Sequence, residues 1–155
     1  MDKDTEEKFV KTFIEKRLQE RFLFELFSDA RRGNLKKGCR YPAGISRFSH
    51  YTDICIKSKY IHLHDGKLKL EDAEKEIKKL SPSVKNCYVI ACAYDPESKY
   101  HARFYDGEYL PLHEGLTICF DDPRETLLIA DDKTAFIKAE WGRGSPDKYI
   151  LHKYD

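Results

Sequence analysis

No stretch of this chain approaches the roughly 20 apolar residues that a membrane-crossing helix requires. Its opening residues, MDKDTEEK, are too charged for the apolar core of a secretory signal. These two absences give the expectation of a cytoplasmic protein that does not enter a membrane. An excess of one charge is missing as well: 28 Lys and Arg face 27 Asp and Glu, for a formal net charge of +1. Nothing draws the whole molecule to nucleic acid, so any such attraction has to be local. The five cysteines, Cys39, Cys55, Cys87, Cys92 and Cys119, are odd in number and include no C-x-x-C pair. That speaks against a disulfide framework and against a structural zinc site. Most of them sit in apolar runs and read as buried free thiols.

Local catalytic signatures are absent too. There is no G-x-S-x-G, no G-K followed by Ser or Thr, and no H-E-x-x-H. Catalytic groups can be distant in sequence, so this leans the reading away from an enzyme without deciding it, and no cofactor is expected.

What is present describes one α+β domain over residues 1–155. A chain of this length, 41% apolar and 35% charged, can bury a single core without disulfides or metal. From about Asp4 to Arg32 no Pro or Gly interrupts a helical pattern. Asp4 and Glu7 suit a capping box at its start and Gly33 a left-handed stop. Phe9, Val10, Phe13, Ile14 and Leu18 share one face, whereas Phe22, Leu23, Phe24, Leu26 and Phe27 leave only Glu25 polar and ask for cover on nearly every side. Shorter helices are expected near 46–57 and over 71–80. CYVIACAY (87–94) reads as a central strand buried on both faces.

Three dipeptide or tripeptide turn signals predict hairpins. Asp65-Gly66 lies between 59–63 and 67–70, Asp106-Gly107 between 100–105 and 108–110, and Asp131-Asp132-Lys133 between 126–130 and 134–140. Residues 112–120 fit a short helix or a strand, and 149–153 should pair with the preceding strand. The expected architecture is therefore a long N-terminal helix plus one or two shorter helices, packed on one face of a mostly antiparallel sheet.

Four groups of residues invite a functional reading. The segment 31–47 is basic, with Arg31, Arg32, Lys36, Lys37, Arg40 and Arg47, and carries Tyr41 beside it. It suits phosphate contact and base stacking, or simply a cationic helix end running into a solvated loop. His62 and His64 alternate on a predicted strand next to Asp65. With Asp121 and Asp122 they form an alternative ligand set for a metal, although two polar histidines on an exposed strand explain the same pattern. Asp121, Asp122, Glu125, Asp131 and Asp132 concentrate acid where turns are predicted, and Asp is favoured in turns for its local backbone bonds. Trp141, Gly142, Arg143 and Gly144 form a loop in which Trp141 could anchor a partner and Arg143 clamp an anion.

Weighing these, the sequence favours a small cytosolic non-catalytic domain that binds another protein, of the inhibitor, adaptor or immunity kind. Arg31, Arg32, Lys36, Lys37, Arg40, Trp141 and Arg143 are the expected partner-binding residues, and ten Tyr, nine Phe and one Trp are available as anchors. The alternatives are a metal-dependent phosphodiesterase or nuclease-like enzyme built on His62, His64, Asp65, Asp121 and Asp122, and nucleic-acid binding through 31–47. A second copy of the chain is a further candidate partner.

Overall fold

A computed structural model describes residues 3–14, 16, 19, 60–64, 67–94, 102–121, 126–138 and 148–155. They contain α1 (Lys3–Phe13), β1 (Ile61–His64), α2 (Leu70–Leu80), β2 (Asn86–Tyr94), β3 (Ala102–Pro111), α3 (Leu112–Asp121), β4 (Thr126–Ile129), β5 (Thr134–Lys138) and β6 (Lys148–His152). The six strands form one sheet in the order β1-β6-β5-β4-β2-β3. Every pairing is antiparallel, so the α+β class is what the chain adopts. Among the described residues no helix is long and apolar enough to cross a membrane.

Strand alternation sends successive side chains to opposite faces, and here both faces are apolar. On one, Ile90, Leu127, Ile129, Ala135, Ile137, Tyr149 and Leu151 form a core with Phe9, Val10, Phe13 and Ile14. On the other, Cys87, Val89, Ala91, Leu128, Phe136 and Ile150 pack against Ala73 and Ile77 of α2 and Leu112, Leu116 and Cys119 of α3. Helices thus cover both faces, which corrects the expectation of one covered face. The reason lies in β4, β5 and β6, which are buried at every position. Strands without a wet face need two covers, and α1 supplies the second.

Of the expected apolar face, Phe9, Val10 and Phe13 of α1 are buried together with Ile14 beyond its end, and Leu18 lies outside the described residues. Phe9 and Phe13 lie with ring centroids 5.3 Å apart, Glu7 and Lys11 pair across one turn at 3.8 Å, and Tyr60 meets Phe13 edge-on at 6.1 Å. The helix is seen only as far as Phe13, because Ile14 enters a strand-type bridge. Val10, Thr12, Phe13 and Ile14 are β-branched or aromatic, among the weaker helix formers, although the Ile14 amide still donates to the Val10 carbonyl at 2.9 Å. Of the expected continuation to Arg32 only Ile14, Lys16 and Gln19 are described, and they do not form an unbroken helix with α1; the Phe22 to Phe27 cluster and the expected helix at 46–57 lie outside the described residues.

Two of the three turn signals resolve differently from expectation. After β1 the chain does not return as a strand over 67–70. Leu70 opens α2 and extends the Ala73 and Ile77 stripe, while β1 pairs with β6, Ile61 opposite Leu151. Asp106-Gly107 makes no hairpin either. β3 runs through it as one strand, and the register slips between Val89 and Ile90, which face Glu108 and Asp106. Gly107, with φ of 82°, is the extra residue of a bulge. The same left-handed glycine serves a turn or a bulge, and the nine-residue β2 alongside selects the bulge. The third hairpin forms as expected, β4 on β5, as does the pairing of β5 with β6. Residues 112–120 become a helix that lies close on the sheet at Gly115, where an added Cβ would run into Cys87 Sγ and stand 2.9 Å from Val89 Cγ2.

Candidate functional site

Of the residues expected from sequence to bind a partner, Arg31, Arg32, Lys36, Lys37, Arg40, Trp141 and Arg143 all lie outside the described residues. So do Asp65 and Asp122 of the alternative metal set. Asp121 ends α3, exposed. His62 and His64 are placed by their backbone: they stand in register with Ile150 and Lys148. Among the described residues no three His, Cys, Asp or Glu side chains converge as a metal group.

Attention moves instead to the β3 edge, where the structure assembles a groove from four separate parts of the chain. Tyr109 and Tyr88 are direct cross-strand partners, with ring centroids 4.8 Å apart and planes tilted by 40°. On its other side Tyr88 faces Ile129 in register, so the row Tyr109, Tyr88, Ile129 runs inward from the edge on the α1 side. Thr5 and Lys8 of α1 and Asp131 and Asp132 of the β4–β5 turn line the same open cavity, which measures about 260 Å³. Tyr109 is 60% exposed, and only Tyr154 at 58% is comparable among the described large apolar and aromatic side chains.

The charges of this groove differ in how they are engaged. Asp131 Oδ1 accepts the Lys133 backbone N–H at 2.8 Å, the turn chemistry its position suggests. Asp131 Oδ2 accepts the Ser81 hydroxyl. Lys8 and Asp132 make no hydrogen bond or ion pair among the described residues; the field of Asp132 contributes only to holding the Lys133 ammonium above its usual range, mainly an effect of Asp155.

Behind Asp131 a chain of polar groups continues inward. Ser81 Oγ stands 3.2 Å from Thr134 Oγ1, which stands 2.9 Å from His152 Nδ1. A carboxylate only accepts, so Ser81 donates to Asp131, Thr134 donates to Ser81, and His152 donates through Nδ1–H. This network joins the C-terminus of α2, the β4–β5 turn and β6.

At the opposite end of the α2/α3 face lies a second polar row that the sequence reading missed. Thr126, Lys138 and Lys148 are cross-strand neighbours, all buried, with Lys138 only 1% exposed. Lys148 Nζ lies 5.3 Å from the Phe120 ring centroid, and Phe120 stacks on Phe136 at 5.6 Å. Thr126 Oγ1 is buried without a hydrogen-bond partner among the described residues. Strand parity was the available signal, since Lys138 follows Thr134 and Phe136 by steps of two. No family model, curated protein or solved structure matches this chain.

Proposed function

We propose that the chain is a small non-catalytic protein-binding domain that takes up an extended segment of its partner along β3. The observation that carries this is the edge itself. β3 spans ten residues, Ala102–Pro111, pairs with β2 on one side, and has no strand on the other among the described residues. Such an edge offers a row of N–H and C=O groups that a partner strand completes, while the alternate side chains of that strand supply specificity. The bulge at Gly107 breaks the edge into two short straight pieces, which favours one register over open-ended stacking. Tyr109, exposed beside the groove, is the kind of aromatic that anchors an interface.

The test compares the parent with Tyr109→Lys, which places a charge on the edge. Both are immobilised and exposed to cytosol from the source cells, and hydrogen exchange of β3 is measured with the captured protein bound. The proposal expects one protein retained by the parent and lost from the variant, with slowed exchange at 102–111. Equal retention by the two, or unchanged exchange along β3, overturns it.

Metal-dependent phosphodiester hydrolysis is a second reading, supported by one observation. His64 is in register with Lys148, Lys148 Nζ lies 5.3 Å from the Phe120 ring centroid, and Asp121 follows Phe120 in sequence, which supports nearness of two members of the expected ligand set. If manganese leaves the melting temperature unchanged in both the parent and a His62→Ala/His64→Ala variant, that reading is removed.

A further inference from the structure

We infer that the groove beside Tyr109 receives a single cationic side chain, arginine or lysine, from the segment that joins β3, with its charge held between the Tyr109 ring and Asp132. This rests on the proposed strand addition at β3. A strand added there sends every second side chain to the α1 face, and one of them falls in line with Tyr109, Tyr88 and Ile129, the row that floors the groove.

What that side chain meets decides its chemistry. The lining carries Lys8, Asp131 and Asp132, a net charge of −1. Asp131 already accepts hydrogen bonds on both carboxylate oxygens, whereas Asp132 is uncommitted. Aromatic faces attract cations through their quadrupole, and two phenol rings lie together here. An incoming carboxylate would meet two acids and the negative ring faces, and an aliphatic side chain would use neither. Lys8 also lines the groove, and its charge opposes the entry of a second cation. The cavity of about 260 Å³ suits one long side chain and falls below the roughly 300–1,000 Å³ typical of small-molecule pockets.

Two capped hexapeptides test this on the full-length protein by amide-resonance titration: Thr-Val-Arg-Val-Thr-Val, and the same peptide with Glu in place of Arg. The expected result is saturable shifts at β3 amides and at Asp132, with the arginine peptide binding about tenfold tighter, from one exposed ion pair and one cation–π contact. In Asp132→Asn the preference should fall to about two- to fivefold, the share of the cation–π contact, while both peptides still shift β3. Equal binding of the two peptides to the parent overturns the cationic groove and leaves strand addition standing. Absence of shifts along β3 with either peptide overturns both.

Discussion

Ser81→Ala removes two hydrogen bonds with one atom, and the structure says how much this should cost. The Ser81 hydroxyl donates to Asp131 and accepts from Thr134 at 3.2 Å, and Thr134 accepts in turn from His152 at 2.9 Å. Ser81, Thr134 and His152 are 6%, 0% and 7% exposed, so water does not freely replace the lost partner. A bond to a charged acceptor contributes about 1.5–3 kcal/mol and a neutral one about 1 kcal/mol. Asp131 is half-buried and regains some hydration, which brings the expected loss to about 2–3 kcal/mol. For a domain of this size each kcal/mol moves Tm by roughly 2–4 °C, so Ser81→Ala should melt about 4–12 °C lower.

Thermal unfolding followed by circular dichroism measures this, and a cycle with Thr134→Val isolates the coupling. If the groups act as one chain, the double variant should lose less than the two single losses together, by at least about 0.5 kcal/mol. Nitrogen-15 spectra of His152 give an independent check, because the fixed direction of donation requires a proton on Nδ1. A Tm change under about 2 °C, strict additivity, or a neutral His152 protonated only on Nε2 would mean that Ser81, Thr134 and His152 do not form one hydrogen-bonded chain.

Gly115→Val drives a branched side chain into Cys87, Val89 and Leu128 and should destabilise by about 1–3 kcal/mol or more, read from denaturant midpoints. Thr126→Val replaces a buried hydroxyl that has no partner among the described residues by a group of the same shape, and should leave stability unchanged or raise it by up to about 1 kcal/mol. Burial above all, with Cys119 and Glu114 adding to it, pushes the Cys87 thiol up to about 12. Cys87 should therefore resist thiol reagents at about pH 8 until denaturant is added, as mapped by peptide mass spectrometry. Glu74 bonds Lys78 at 2.6 Å and His113 at 2.7 Å, and chiefly the Lys78 bond holds its carboxyl below the usual 4.5. A carboxyl depressed on folding stabilises fully above its unfolded value and loses that contribution as pH falls through the folded one. The stability gap between the parent and Glu74→Gln should thus be present at neutral pH and shrink as pH falls below the usual 4.5.

These predictions rest on features with very different visibility in the sequence. β2 is legible because CYVIACAY is apolar at every position, which only a strand covered on both faces needs. The β4–β5 hairpin is legible because Asp131 does what a turn aspartate does, accepting the N–H two residues on. Asp106-Gly107 fails as a hairpin signal for a physical reason: a positive φ at glycine is required by tight turns and by bulges alike, and the choice belongs to the length of the strand opposite. The division of helices between two faces is hidden similarly. Periodicity shows that α1 and α2 each have an apolar face, and only the parity of Leu127 against Leu128 tells which side each helix covers. The groove is hidden most deeply. Lys8, Tyr88, Tyr109 and Asp132 carry no motif and come from four elements, brought together because Tyr88 pairs with Tyr109 on one side and with Ile129 on the other. Sequence did contain half of its chemistry, since the Asp131-Asp132 pair reads as turn chemistry. Asp131 fulfils that role with both carboxylate oxygens, whereas Asp132 makes no hydrogen bond or ion pair among the described residues, which is why the proposed selectivity of the groove should follow Asp132 rather than its neighbour.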